Sequence, residues 1–242
     1  MSFDLNSSKV FERNFELNGL TLRVGSYNIK HGGDVGLDFS VIAADIKALN
    51  LDIIGFQEID QCTSRVNGLD TPALIAKELG YEHYYFTGAI DYKGGEYGTL
   101  IVSRYPIEFS ESYAFPKHAG YEDRAMGHVV INVDGAKVDF FNTHLSYEEK
   151  SLQTEQFGIL GEKLDGVRGF ILTGDFNTSD TSLYSPIENH KLVNPKKYVT
   201  FPDSGYIDNI VLESGWEIVE SGVGPQGHSD HNMLWAEIKY GK

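Results

Sequence analysis

The chain has 242 residues, 41% of them hydrophobic, enough to bury the core of one large domain over residues 1–242. Acidic residues outnumber basic ones by 35 to 20, the formal net charge is −15, and no run of Lys or Arg offsets this excess. Long-range attraction to a nucleic-acid backbone or an anionic membrane is therefore not expected, although a bound cation can invert the local field and allow an acidic protein to cut a polyanion.

The cysteine content and the first residues of the sequence indicate the cellular compartment in which the protein is expected. Cys62 is the only cysteine, so the sequence offers no internal disulfide. Residues 1–18 carry neither a basic segment nor an apolar stretch of the signal-peptide type, and no apolar run reaches membrane-spanning length. We expect a soluble cytoplasmic monomer without stable membrane association.

The first third of the chain predicts alternating strands and helices. Alternating apolar and polar residues favour a strand that ends near Asn28, and apolar residues at helical spacing follow Asp38, a candidate helix cap. A short buried strand then leads into Glu58, and Pro72 and Gly80 bracket a second helix. These four elements are predicted over residues 20–29, 39–49, 52–56 and 71–79.

The middle of the chain changes to consecutive strands. Pro106 and Gly135 fall at turns between them, and helical spacing returns only after residue 148. The predicted strands cover residues 81–86, 98–103, 107–115, 126–133 and 138–143, and the helix covers 148–164.

The last third opens with a short buried strand over residues 171–173 that leads into Gly174-Asp175-Phe176-Asn177. A short helix over 182–189 and strands over 206–212, 216–222 and 233–238 follow. Because helix-strand units bracket an antiparallel middle, we expect an α/β (α+β) fold in which two packed, mostly antiparallel sheets have helices outside them.

Polar side chains recur where the predicted strands end. They are Asn28, Glu58, His144, Asp175, Asn177, Asp208, Asp230 and His231. Any one of them has an ordinary structural explanation, such as a turn at Asn28 or a solvated rim at Glu58. Buried carboxylates are costly unless they are paired or bind metal, so the recurrence favours one shared site.

The composition of this set indicates its chemistry. Carboxylates and amides without cysteine form an oxygen-donor environment suited to Mg²⁺, Mn²⁺ or Ca²⁺. Two histidines add acid-base capacity near neutral pH. Such a site suits hydrolysis of a phosphate ester, in which a cation neutralises phosphate oxygens and a base directs water at phosphorus.

Several short motifs occur in an order that resembles the endonuclease/exonuclease/phosphatase superfamily, in the DNase I-like branch that includes exonuclease III and bacterial sphingomyelinases. They are Tyr27-Asn28-Ile29, Gln57-Glu58, Tyr97-Gly98, Ser103-Arg104-Tyr105-Pro106-Ile107, Glu122-Asp123-Arg124, Asn142-Thr143-His144-Leu145, Gly174-Asp175-Phe176-Asn177, Ile207-Asp208 and Ser229-Asp230-His231. The resemblance covers about residues 21–239.

The resemblance implies a four-layer α/β/β/α sandwich and a Mg²⁺-dependent phosphoesterase. It makes Glu58 the main metal ligand, assisted by Asn28 and Asp230. It places Asp175 and Asn177 around the attacking water and the phosphate. Two histidines, His144 and His231, contact the scissile phosphate in this picture, and one or both move protons.

The partner of His231 can be argued from the chain itself. Asp230 is adjacent in an extended segment and points to the other side, whereas Asp208 arrives from another strand. We therefore pair His231 with Asp208 and assign Asp230 to the metal. Arg124 is predicted to clamp a phosphate, and its alternative is a surface salt bridge with Glu122.

The substrate remains open at this point. A phosphodiester or a phosphomonoester fits, the substrate classes being nucleic acid, small soluble phosphate esters and phospholipid head groups. The number of metals is open, and both Asp175 and His231 are candidates for the general base. A non-catalytic binding module is the alternative from another class, and it predicts loss of the metal or base residues, all of which are present.

Overall fold

Two six-stranded sheets pack face to face in the computed structural model, which describes residues 17–202 and 205–241. The first sheet contains β1 (Thr21–Asn28), β2 (Ile53–Gln61), β3 (His83–Tyr92), β4 (Gly95–Ser103), β11 (Trp216–Val223) and β12 (Leu234–Tyr240), in the order β11-β12-β1-β2-β4-β3. The second contains β5 (Ile107–Ala114), β6 (Ala125–Val133), β7 (Ala136–His144), β8 (Ile171–Asp175), β9 (His190–Leu192) and β10 (Asp208–Glu213), in the order β5-β6-β7-β8-β10-β9.

Each sheet has one parallel pair at its centre. β1 runs parallel to β2, and β7 runs parallel to β8, whereas every other neighbouring pair is antiparallel. These central strands are buried on both faces, as is usual for parallel strands. The expectation of two mostly antiparallel sheets is confirmed, and the carboxyl ends of the parallel pairs bring their polar residues to one edge.

In the part of the chain that the structure describes, three α-helices of eight residues or more cover the outer faces of the sheets. They are α1 (Phe39–Ala48), α2 (Thr71–Leu79) and α3 (Lys150–Leu164). The side chain of Asp38 caps α1 by accepting the N–H of Ser40 at 3.2 Å, and α2 ends at Gly80, whose φ is 76°. The predicted bounds of α1, α2 and α3 agree with the structure to within a few residues.

Consecutive strand residues contribute to different cores because they point to opposite faces. Ile53 lies in the core between the sheets, and the next residue, Ile54, packs under α1 and α2. On the second sheet Ile171 lies in the shared core, and Leu172 packs under α3. The layers are therefore helix, sheet, sheet and helix, which confirms the four-layer α/β/β/α sandwich.

The short helix expected over residues 182–189 is wrong. The structure has a single 3₁₀ turn, Thr181–Tyr184, capped by Asp180, and then the short strand β9. Pro186 explains the early end, because it lacks the N–H that would continue the helix.

The hairpin of β3 and β4 is longer than expected. The structure carries β3 on to Tyr92 and begins β4 at Gly95, with Lys93 and Gly94 between them at φ of 46° and 86°. Two consecutive residues of positive φ make the tight turn that suits a two-residue hairpin. The extension places Tyr92 and Tyr97 at the same edge as the polar residues.

No helix in the described part of the chain has the length and apolar character to cross a membrane.

Candidate functional site

A cavity of about 380 Å³ opens at the edge where the parallel pairs end. The register explains the meeting point, because Asn28 is opposite Gln57, His144 is opposite Asp175, and Asp175 is opposite Asp208 on β10. Its lining residues are Glu58, Arg65, Ile90, Tyr92, Tyr97, Glu122, Arg124, His144, Tyr147, Asp175, Asn177, Phe201, Ile207, Asp230 and His231.

All nine residues predicted for the site are brought to this cavity or directly behind it. The seven in the lining are Glu58, Arg124, His144, Asp175, Asn177, Asp230 and His231. Asn28 and Asp208 are fully buried and reach the cavity through hydrogen bonds to lining residues. The fold brings together residues that are far apart in the sequence: the side chains of Asn28 and Asp175, 147 positions apart, share a hydrogen bond.

Asp175 lies at the centre of the polar network. Its Oδ2 accepts the side-chain amide of Asn28 at 3.0 Å, and its Oδ1 accepts the backbone N–H of Asn177 at 3.0 Å. The same Asn28 nitrogen donates to Oε1 of Glu58 at 3.1 Å, so one amide links two carboxylates. Burial, and then the nearby charge of Asp208, raises the pKa of the Asp175 carboxyl.

Glu58 occupies an unusual backbone position. Its φ is 58°, and the pairing of β2 with β4 shifts register between Phe56 and Ile59, which marks a bulge. A left-handed conformation costs a residue other than glycine about 1–2 kcal/mol. The bulge directs the Glu58 carboxylate into the cavity, where it is partly exposed. Strain of this kind concentrates at functional sites.

His231 pairs with Asp208, as predicted. Its Nδ1 lies 2.9 Å from Oδ2 of Asp208, and its Nε2 lies 3.6 Å from Oδ2 of Asp175. Burial acts to lower the pKa of His231, but the Asp208 carboxylate opposes it and, with Asp175 and Asp230, raises the pKa to about 9. The imidazole is therefore held between two carboxylates, with the Phe201 ring 4.7 Å from its centre.

His144 has the opposite electrostatic character. Burial, and then the positive charge of Arg124, lowers its pKa well below the ordinary value, so the ring is neutral. Its Nε2 lies 3.0 Å from the side-chain nitrogen of Asn177 and 3.4 Å from Oδ2 of Asp175. Asn177 is itself fixed, because the same nitrogen donates to the carbonyl of Leu145 at 2.8 Å.

Arg124 forms the predicted salt bridge with Glu122 and also lines the cavity in which a phosphate is expected. Nη1 bonds to Oε1 of Glu122 at 2.8 Å, so the salt bridge is present, and yet the side chain is only 4% exposed and lines the cavity. Its Nε has no hydrogen-bond partner among residues 17–202 and 205–241. A buried guanidinium with an unused N–H is suited to receiving an oxyanion.

The oxygen atoms of the site fit a hard divalent cation. Glu58, Asp175 and Asp230 all face the cavity, and Oδ1 of the buried Asp208 has no hydrogen-bond partner in the described chain. Lys30 partly offsets this negative charge, since its Nζ lies 3.3 Å from Oδ2 of Asp230. Carboxylate oxygens without thiolates are the donor set that Mg²⁺ prefers.

A second grouping of candidate metal ligands overlaps the first. Asp175, Asp208 and His231 each offer a ligand atom within 4.8 Å of the others. Nδ1 of His231 is already hydrogen-bonded to Oδ2 of Asp208 at 2.9 Å, whereas Nε2 of His231 and Oδ1 of Asp208 are not used in that bond. The hydrogen-bonded pair of His231 and Asp208 is suited to holding a proton, and the partly exposed carboxylate of Glu58, which lines the cavity, is suited to contact with a cation.

Sequence reasoning did not identify several residues of the cavity wall. These are Arg65, Ile90, Tyr92, Tyr97 as a lining side chain, Tyr147, Phe201 and Ile207. Tyr92 and Tyr97 flank the Lys93-Gly94 turn, and a hairpin interpretation of that dipeptide would have brought them together. Arg65 lies in a 3₁₀ turn, Ser64–Val66, and no local pattern indicates its position.

Comparison with known proteins identifies similar folds. Residues 25–231 match the family model described as the endonuclease/exonuclease/phosphatase family. No curated protein sequence matches the chain. An endonuclease/exonuclease/phosphatase from Beutenbergia cavernae is 22% identical, with a TM-score of 0.78, over 91% of this chain and 72% of that one.

Two structures from Bacteroides thetaiotaomicron are also similar. An endonuclease/exonuclease/phosphatase family protein is 20% identical, with a TM-score of 0.73, over 93% of this chain and 100% of that one. A protein named mannosyl-6-phosphatase is 19% identical, with a TM-score of 0.71, over 90% of this chain and 100% of that one. At these identities the structural likeness establishes the fold alone.

Proposed function

The chain belongs to the endonuclease/exonuclease/phosphatase family, and from that premise we propose that it is a Mg²⁺-dependent hydrolase of phosphate esters. One observation carries the proposal. The carboxyl ends of both parallel strand pairs deliver Glu58, His144 and Asp175 to one cavity, which also receives His231. A structural role for each residue alone would not require them to share a cavity of this size.

Glu58, Asn28 and Asp230 are the proposed metal ligands. Asn28 supports Glu58 through the amide hydrogen bond of 3.1 Å, and its Oδ1 accepts the backbone N–H of Lys30 at 3.1 Å while a second lone pair stays available. Mn²⁺ or Ca²⁺ suits the same oxygens. When bound, the cation neutralises charge on the phosphate oxygens.

Asp175 and His231 then have different tasks. The His231 imidazole lies between the carboxylates of Asp208 and Asp175, and two flanking acceptors favour hydrogen on both ring nitrogens. We assign His231 to donate a hydrogen bond from Nε2 to a phosphate oxygen. Asp175 accepts a proton from the attacking water, and the backbone of Asn177 fixes its other oxygen.

The remaining side chains hold the phosphate. Arg124 offers the unpaired Nε–H. On the same wall, Nδ2 of Asn177 lies 3.0 Å from Nε2 of His144. Hydrogen-bond donors arranged before the substrate arrives stabilise the charge that develops on phosphate oxygens. Attack of water forms a new bond from its oxygen to phosphorus as the bond between phosphorus and the alcohol oxygen breaks, and the departing alkoxide takes a proton from solvent to leave as the alcohol.

Small soluble phosphate esters are the substrate class that fits this cavity best. A volume of about 380 Å³ lies within the usual range for small-molecule sites, and a net charge of −15 opposes binding to a long polyanion. The similar structure named mannosyl-6-phosphatase is consistent with such a substrate. A nuclease acting on nucleic acid is the alternative, and it requires a basic surface that the composition does not favour.

A phosphate-ester screen tests the proposal. Wild type and His231→Ala are assayed with phosphomonoesters and phosphodiesters in Mg²⁺, in Mn²⁺ and with a chelator. We expect hydrolysis by the wild type, loss of at least about 10²-fold in kcat for the variant, and no turnover after chelation. Equal rates for the two proteins, or full activity in the chelator, would overturn it.

A further inference from the structure

Arg65 is fixed in one wall of the cavity by contacts that leave part of its guanidinium unused. Nε and Nη2 donate to the carboxylate of Asp60 at 2.9 and 2.6 Å, and Asp60 is fully buried. The guanidinium carbon lies 4.7 Å from the centre of the Tyr92 ring and 5.5 Å from that of the Tyr97 ring. In the described parts of the chain, nothing accepts a hydrogen bond from Nη1. An edge with free N–H groups therefore remains on a side chain that lines the cavity.

A second group of the same composition shows what a purely structural arrangement looks like. Arg104 bonds to Asp52 through Nη1 at 2.9 Å and lies 5.4 Å from the centre of the Tyr81 ring. Its Nη2 donates to Asn50 at 2.9 Å and to the hydroxyl of Tyr81 at 3.0 Å. Both terminal nitrogens are used, and this group lies at the start of β2, away from the cavity. Packing explains Arg104 completely but leaves the free edge of Arg65 unexplained.

The groups around Arg65 select the chemistry of its partner. Glu122 also lines the cavity, and only its Oε1 is used by Arg124, at 2.8 Å. Glu58 faces the same space. A second phosphate would offer only acceptors and would be repelled by these carboxylates. Neighbouring hydroxyl groups accept hydrogen bonds from a guanidinium and donate to carboxylates, so they match both partners.

The tyrosine rings add an apolar contribution. Tyr92 and Tyr97 lie with ring centres 6.3 Å apart, and both line the cavity beside Arg65. A sugar or polyol presents C–H groups as well as hydroxyls, and an aromatic ring next to charged hydrogen-bonding groups binds both kinds of surface. Tyr147, which is 69% exposed, extends the aromatic lining toward solvent.

We propose that Arg65 is a specificity-determining residue that binds neighbouring hydroxyl groups on the alcohol part of a sugar phosphate or polyol phosphate. Asp60 and Tyr92 are its positioning residues. This inference rests on the proposed function, because the phosphate group in the metal site places the alcohol part against the wall that contains Arg65. The hydrolysed bond stays the one already described.

Paired ligands test the assignment. Hydrolysis of ribose 5-phosphate and 2-deoxyribose 5-phosphate in Mg²⁺ is measured as kcat/KM with wild type, Arg65→Lys and Arg104→Lys. Lysine keeps the charge and removes the planar pair of N–H groups. We expect kcat/KM of the wild type to be about tenfold higher for ribose 5-phosphate than for its deoxy analogue, Arg65→Lys to lose that preference, and Arg104→Lys to retain it.

Two further measurements keep the outcomes distinct. Tyr92→Ala leaves the pair of Arg65 and Asp60 intact, and we expect it to reduce the same preference, so it decides the question if Arg65→Lys does not fold. Hydrolysis of bis(p-nitrophenyl) phosphate by the wild type tests the proposed function without any hydroxyl group on the ligand, so its failure is seen separately.

Three outcomes would overturn the assignment. Equal kcat/KM of the wild type for the two ribose phosphates would mean that the cavity does not recognise neighbouring hydroxyl groups. An unchanged preference in both Arg65→Lys and Tyr92→Ala assigns the preference elsewhere. The wild type could also prefer fructose 1,6-bisphosphate to fructose 6-phosphate and lose this preference only in Arg65→Lys. That result would mean that Arg65 recognises a second phosphate instead.

Discussion

Nδ1 of His231 lies 2.9 Å from Oδ2 of Asp208, a residue 23 positions earlier in the chain that begins strand β10. The pair is buried, with side-chain exposures of 5% and 1%. A buried carboxylate that accepts from one ring nitrogen fixes both the orientation of the imidazole and the position of its proton. The other ring nitrogen, Nε2, is thereby directed at Asp175 and the cavity.

Removing the charge of Asp208 should impair catalysis more than binding. In Asp208→Asn the imidazole loses its charged partner, so we expect kcat for phosphate-ester hydrolysis to fall by roughly 10²-fold or more with a smaller change in KM. Asp45→Asn is the matched control, because Asp45 pairs with His228 at 2.6 Å outside the cavity lining. Steady-state kinetics of both variants give the comparison. Similar losses in the two variants would remove the special role of Asp208.

Because the backbone at Glu58 is strained, glycine should stabilise the protein relative to alanine at this position, the reverse of the usual order in a strand. At φ of 58°, Glu58→Gly should be more stable than Glu58→Ala by about 1 kcal/mol, since glycine adopts this conformation without steric cost. At Glu217, an exposed residue of β11 without positive φ, the order should reverse. Urea unfolding measures all four variants. If alanine is the more stable substitution at both positions, the backbone of Glu58 is not strained.

A buried amide links the two sheets behind the cavity. Nδ2 of Asn142 on β7 donates to the carbonyls of Phe56 and Leu100 in the other sheet at 2.8 and 3.1 Å. Its Oδ1 accepts from Gln57 at 2.7 Å and from Thr173 at 3.0 Å. Asn142→Leu should lower the free energy of unfolding by roughly 2–4 kcal/mol, because the interior groups left behind lose partners. A loss below about 0.5 kcal/mol in urea unfolding would contradict this role.

His128 predicts a pH dependence of stability that is separate from the cavity. Its ring nitrogens lie 3.0 Å from Glu111 and 3.0 Å from Asp139, and its ring stacks on Phe141 with centres 4.1 Å apart. Burial acts to lower the pKa of His128, but the carboxylates of Asp139 and Glu111 raise it above the ordinary value. The folded state therefore binds this proton more tightly than the unfolded state does.

The sign of the effect follows from that difference. The stabilising contribution of charged His128 is fully present below its unfolded pKa of about 6.5 and is lost as the pH rises through its higher folded pKa. We expect the unfolding free energy of wild type, relative to His128→Gln, to fall as the pH rises above about 6.5. Urea unfolding at several pH values measures the difference. A difference that does not change with pH would contradict this prediction, because it would mean that the pKa of His128 is the same in the folded and unfolded protein.

Much of the site was predictable because its residues follow recognisable strands. Asn28, His144 and Asp175 end buried strands, and the rule that parallel strands of one sheet finish at one edge groups His144 with Asp175. The pairing of His231 with Asp208 followed from alternation along an extended segment, which is a local geometric property. Order along the chain then made a family resemblance visible.

Other features depend on geometry that local patterns do not specify. The left-handed backbone at Glu58 arises from a bulge in the pairing of two strands, and glutamate does not mark such a position. Arg65 reaches the cavity through its bond to a buried carboxylate, whereas the sequence shows only an arginine in a turn. The helix expected over residues 182–189 is absent because Pro186 lacks the N–H that would continue it, and the prediction gave more weight to helical composition than to this single proline.

The dependence of phosphate-ester hydrolysis on Mg²⁺ concentration, compared between wild type and Glu58→Gln, tests the central proposal most directly. We expect wild-type activity to rise to saturation with Mg²⁺, to vanish in a chelator and to return when Mg²⁺ is restored. Glu58→Gln, with one charge fewer in the metal site and the same side-chain shape, should need at least about tenfold more Mg²⁺ or lose activity altogether. Activity that is independent of the cation, or equal Mg²⁺ dependence in the two proteins, would contradict the proposal.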